Sequence, residues 1–200
     1  EELKTLDVGY GYTADNGKTY PFRGKGIGLM PSLDELMSHF SEESFLIHIK
    51  NNNPYEGELL AEYLEGLSQE RLSKLTFYGG DEPIAILKER IPNIRVMSKA
   101  TMKKALISYM AVGWTGYMPA SMRNTYIQLP KKYARVLWGW PHRFIKRVEN
   151  ADSLFVIVAG DGQWSEGFDT ADDLSQIPDN YSGGIWTNRI DRIAPIYKEN

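Results

Sequence analysis

Cysteine is absent from this chain of 200 residues, which rules out disulfides and thiol chemistry. Histidine is scarce, with three residues to serve any acid–base or metal chemistry. No apolar run is long enough to span a bilayer as a helix. An excess of positive charge is missing too: 23 Lys and Arg stand against 26 Asp and Glu, for a net charge of -3. The basic residues are scattered among acids, which argues against a nucleic-acid partner held through its phosphates. Any anion must therefore be held locally. No signal peptide opens the chain; Glu1-Glu2-Leu3-Lys4 reads as the middle of a longer protein, and an extracytoplasmic location would require such a peptide upstream.

What remains is a composition of 42% hydrophobic and 24% charged residues, suited to one globular domain over residues 1–200 with a substantial core. The aromatic share, 12%, is high, and several rings fall beside glycines in expected loops, where rings often line ligand sites. The clearest case is residues 8–30. There Gly9, Gly11, Gly17, Gly24, Gly26 and Gly28 interleave with Tyr10, Tyr12, Tyr20 and Phe22, with neither helical nor strand periodicity. The aromatic content predicts an ordered loop packed over something rather than a disordered one.

The stretch around which the rest is arranged is Ser44–Lys50, SFLIHIK. Phe45, Ile47 and Ile49 alternate with Leu46, His48 and Lys50, which predicts a strand with two polar groups on one face near its carboxyl end. In parallel α/β sheets and barrels, chemistry gathers at that end. Upstream, Ser32 and Glu35 have capping-box spacing and open a helix. Downstream, Pro54 starts a helix, Leu75–Tyr78 is a strand ending in Gly79-Gly80, and Asp81 is placed to cap the next helix. Ile94–Met97, Thr125–Leu129, Leu154–Ala159 and Gly184–Asn188 complete six strand candidates, each followed by a helical pattern. This alternation predicts parallel strands with helical crossovers. A closed barrel of this kind needs about eight strands and about 250 residues. The chain is thus either an open sheet or a barrel without its first quarter.

The order LKTLDVGYGYT, glycine-rich loop, MPSLDELMSHF, SFLIHIK and, at the end, GGIWTNRID resembles the middle and C-terminal part of the glycerophosphodiester phosphodiesterases. The resemblance implies an incomplete (β/α) TIM-type barrel lacking roughly the first two strand–helix units. It implies a hydrolase of lipid metabolism that cleaves a small-molecule glycerophosphodiester to glycerol phosphate and an alcohol, with a divalent metal, Mg or Ca, as cofactor. Lys50 occupies the place of the family's phosphate-holding lysine and is the candidate catalytic residue. His48 stands where the family has a metal-binding glutamate; imidazole supplies no negative charge and suits softer ions. The family's upstream "histidine, arginine, glycine", "glutamate, any, aspartate" and "histidine, aspartate" motifs are absent, so this chain alone is expected to be inactive. The alternative is a non-catalytic relative that binds phosphate or a polyol.

Trp138 and Trp140 in LWGWP, Trp186 on the last strand and Tyr78 at the end of the second are the candidate substrate-binding rings, the competing reading for the first two being core rings around a turn. Trp114 is read as packing. His39 and His142 are set aside as helical. Asp169, Asp172 and Asp173 are read as a solvated helix start rather than a Ca²⁺ site. Strands flanking a gap in the barrel would expose unpaired edges and favour a homo-oligomer.

Overall fold

A computed structural model describes residues 2–160 and 166–198. The chain forms two compact units, Glu1–Glu43 and Ser44–Asn200.

The first unit is ordered chiefly by two aspartates. The Asp7 carboxylate accepts the backbone N–H groups of Gly9, Gly24 and Gly26 at 2.6–3.0 Å, and Asp7 bridges Ile27. Asp15 accepts from the Thr13 hydroxyl, the Lys18 N–H and both the N–H and hydroxyl of Thr19. These donors, the Thr19 N–H foremost, hold the Asp15 carboxyl down to about 2. Arg23 lies over two rings, 4.4 Å from the centre of Tyr10 and 3.8 Å from that of Tyr20. The expected loop is therefore ordered by Asx-type hydrogen bonds rather than by regular elements. The helix α1, Leu33–His39, follows with the expected capping box between Ser32 and Glu35.

The second unit is a succession of parallel strands and helices. In order they are β1 Phe45–Ile49, α2 Pro54–Glu65, α3 Gln69–Ser73, β2 Leu75–Gly79, α4 Asp81–Arg90, β3 Arg95–Ser98 and α5 Lys99–Val112. Then come β4 Tyr126–Pro130, α6 Lys131–Ala134, α7 His142–Glu149, β5 Leu154–Val158, α8 Ala171–Leu174, β6 Gly184–Ile185 and α9 Ile190–Lys198. The strands form two three-stranded parallel sheets, β1-β2-β3 and β4-β5-β6. Among the described residues a single parallel bridge, Val96 to Thr125, links them, reinforced by the Thr125 hydroxyl donating to the Val96 carbonyl at 3.0 Å.

The six expected strands are thus present and in sequence order, but among the described residues they do not close a barrel. The last strand is shorter than expected, two residues in place of Gly184–Asn188; at Trp186 the N–H still donates to the Ile157 carbonyl of β5, while the carbonyl accepts from the Phe168 N–H.

Helices cover one face of the sheets. α2 and α4 pack closely through Gly57: a Cβ there would lie 2.7 Å from the Pro83 Cα, so glycine is retained despite a cost of about 1 kcal/mol in helix propensity. Ala61, Leu64, Ile84 and Leu87 are fully buried around this contact. In the second half, Ile127, Leu129, Phe155 and Ile157 meet Tyr109, Phe144, Ile145 and Val148 in one apolar cluster.

The helix starts at the carboxyl ends of the strands are capped from neighbouring loops. Asn53 caps its own helix α2, while the Asn52 side chain accepts the Glu82 N–H of α4 at 3.0 Å. Asp81, expected to cap α4, is instead that helix's first residue and accepts the Ala100 N–H of α5 at 3.0 Å. The sequence spacing identifies an acid near a helix start but not which helix it serves.

Candidate functional site

The face of β1–β3 carrying His48 is set by strand register. Leu46 pairs with Thr76, which pairs with Arg95, and His48 pairs with Tyr78, which pairs with Met97. In β4 and β5, Tyr126 pairs with Leu154, and Gln128 with Val156, which in turn pairs with Gly184. Because paired residues of parallel strands project to the same side, Ile127, Leu129, Phe155 and Ile157 define the helix side, and Tyr126 and Gln128 the other. Tyr78 and Tyr126 meet with ring centres 6.0 Å apart, so both sheets contribute to one face.

On that face the imidazole of His48 stacks on the phenol of Tyr78, at 4.2 Å between centres and 10° between planes. Burial, with the Lys50 cation as a lesser cause, holds the His48 pKa below its ordinary value, so the ring is predominantly neutral at pH 7. It then offers one hydrogen-bond donor and one acceptor. Burial raises the Tyr78 phenol, and does so more strongly for Tyr126, keeping both protonated. The Tyr126 hydroxyl donates to Gln128 Oε1 at 2.8 Å, and both residues are buried. Lys50, just past the end of β1, is exposed and supplies the positive charge.

The structure therefore brings His48, Tyr78 and Lys50 together. Trp186 continues the alternation from Gly184 and extends the same side beyond β6; its indole nitrogen is buried and has no hydrogen-bond partner among the described residues. Trp138 and Trp140 are held elsewhere. The Trp138 indole donates to the Met110 carbonyl at 2.9 Å, and its carbonyl accepts from the Tyr109 hydroxyl at 2.6 Å, which anchors it on α5. Trp140 packs against Phe144, Phe155 and Tyr181 on the helix side of β5, the core-ring alternative. Trp114, read as packing, is instead 68% exposed.

Asp173 completes a capping box with Thr170 at the start of α8, as the helix-start reading expects, whereas Asp169 accepts from Thr187 and Asn188. His39 and His142 are both helical, the last residue of α1 and the first of α7.

A divalent metal at His48 is tested by its surroundings. Among the described residues no three of His, Asp and Glu gather anywhere, and His48 is flanked by a ring and a cation. A hard cation that prefers carboxylate oxygens does not fit this environment.

Sequence reasoning missed Tyr126 and Gln128. Their signal was an alternation of the same kind as His48 and Lys50, two polar groups on one side of Thr125–Leu129, obscured because the whole segment reads as apolar strand.

Compared with family models, with curated proteins and with solved structures, the chain shows no significant match to any.

Proposed function

We propose that this chain forms part of a (β/α) barrel of the glycerophosphodiester phosphodiesterase type, and that its His48-bearing face binds the phosphate and polyol portions of a glycerophosphodiester. The observation that carries this reading is the stacked His48–Tyr78 pair with Lys50 two residues further along, at the carboxyl end of a parallel strand. The neighbouring helix starts offer no competing anion site, because α2, α4 and α5 receive side-chain oxygens from Asn53, Asn52, Asp81 and Ser98. Phosphate is thus left to the Lys50 ammonium. Neutral His48 donates to or accepts from a substrate hydroxyl, and Tyr78 orients the imidazole by stacking.

The hydrolytic activity that the resemblance implies uses a divalent metal to neutralise the phosphate. Since the residues around His48 do not fit one, the role assigned to this face is binding and orientation. Calorimetric titration with glycerol 3-phosphate tests it. Lys50→Ala is expected to weaken binding by about tenfold or more, the loss of a charge-assisted hydrogen bond. Equal affinity in the variant would overturn the reading. Release of glycerol phosphate from glycerophosphocholine with Mg²⁺ or Ca²⁺ would place catalysis on this chain as well. Self-association through the edge of β1, which among the described residues pairs with β2, belongs to the same proposal. A monomer by size-exclusion chromatography at high concentration would remove it.

A further inference from the structure

A second polar site lies at the opposite end of the sheet, where β4 and β5 begin. Gly116, Met118, Arg123, Arg147, Asn150 and Ala151 line a cavity of about 240 Å³. Its position follows from the loops that form it. Arg123 ends the turn leading into β4, and Asn150 and Ala151 follow α7 on the way to β5. The Asn124 N–H donates to the Ala151 carbonyl at 3.0 Å, which ties the two loops together.

Two arginines and no carboxylate are among the residues that line the cavity. Arg147 is fixed by one nitrogen, Nη1, which donates to the Tyr109 hydroxyl and the Gly113 carbonyl, both at 2.9 Å. Its other terminal nitrogen faces Gly116, whose φ of +88° favours glycine and which presents no side chain; a Cβ there would come to 3.4 Å from Nη2. Arg123 is exposed and makes no ion pair among the described residues. Uncompensated cations that approach each other cost energy unless an anion joins them, and guanidinium matches oxyanion geometry with paired donors. In a chain of net charge -3, this local excess of positive charge does not follow from the composition.

We propose that this cavity is a binding site for a phosphate monoester or inorganic phosphate, held between Arg123 and Arg147 with the Asn150 amide as a further donor and Met118 and Ala151 as an apolar wall. The site is independent of Lys50, which stands at the other end of the strands. Two guanidinium groups suit a dianion better than a carboxylate.

The test uses the Lys50→Ala chain, so that the face proposed above does not contribute, and follows the backbone amides of Gly116, Asn150 and Ala151 by NMR during titration with inorganic phosphate. Saturable shifts are expected, with affinity falling as salt rises. Arg123→Gln, a substitution at an exposed position, is expected to weaken binding by about fivefold or more, and acetate to bind at least about fivefold more weakly than phosphate. The proposal is overturned by absent or non-saturating shifts, by unchanged affinity in Arg123→Gln, or by acetate binding as well as phosphate does.

Discussion

β1 and β4 are both five-residue parallel strands, the first carrying His48 and leading to Lys50 and the second carrying Tyr126 and Gln128, yet these polar pairs have opposite fates. Every residue of β4 is buried, and its polar pair is satisfied internally, Tyr126 donating to Gln128. In β1, Leu46 is 38% exposed and His48 is open on the same side, with Lys50 beyond it. Place in the sheet accounts for the difference. β4 is paired with β5 along its length and bridged to β3 through Thr125, whereas β1 pairs, among the described residues, with β2 alone. A buried polar pair must find partners within the protein. An exposed one is free to meet a ligand. The contrast separates polar residues that specify the fold from those available for recognition.

The contrast is broken most forcefully by truncation. Ile127→Ala in fully buried β4 is expected to cost about 2–5 kcal/mol, while Leu46→Ala in β1 costs less than about 1 kcal/mol, read by urea unfolding. Equal losses would show that β1 is as deeply packed as β4.

Next is Gly79→Ala, where a Cβ would lie 2.2 Å from the Ile49 carbonyl oxygen and push β1 away from β2. A loss of about 1–3 kcal/mol is expected from this overpacking, with the amide shifts of His48 and Lys50 displaced in NMR spectra.

Removing one hydroxyl sharpens the polar comparison. Tyr126→Phe leaves Gln128 without that donor and is expected to cost about 1–3 kcal/mol, whereas Tyr78→Phe retains the stack on His48 and stays within about 0.5 kcal/mol of the parent.

The smallest effect concerns pH. Because the His48 pKa is lowered in the folded chain, the unfolded chain binds its proton more readily. Its contribution to stability is therefore present above the unfolded value of about 6.5 and is lost as pH falls through the depressed folded value. His48→Gln should flatten the stability profile in that window. In the parent chain the His48 imidazole resonances should titrate below the ordinary histidine value, and Lys50→Ala should move them back towards it.

Much of the second unit was legible from local pattern. Alternation in SFLIHIK, Pro54 at a helix start and the apolar LFVIVA segment each depend on near neighbours in sequence, and each forms the expected element. The capping box of Ser32 and Glu35 is equally local. The site was legible in part. Period-two alternation places His48 and Lys50 on one face, but their partner Tyr78 is set by the register of β1 on β2, in which a one-residue slip would turn it away. LWGWP looked like a loop that could wall a pocket. Trp140 went to the core because Phe144, Phe155 and Tyr181, distant in sequence, converge around it.

Residue order and spacing alone thus established a parallel α/β succession with six strands, because periodicity and helix-start chemistry act over a few residues. Long-range packing determined which polar pairs are enclosed, which helix Asp81 caps, and that Arg123 and Arg147 line one cavity. Those outcomes depend on contacts between segments far apart in the chain, whose geometry exists once register and helix packing are set.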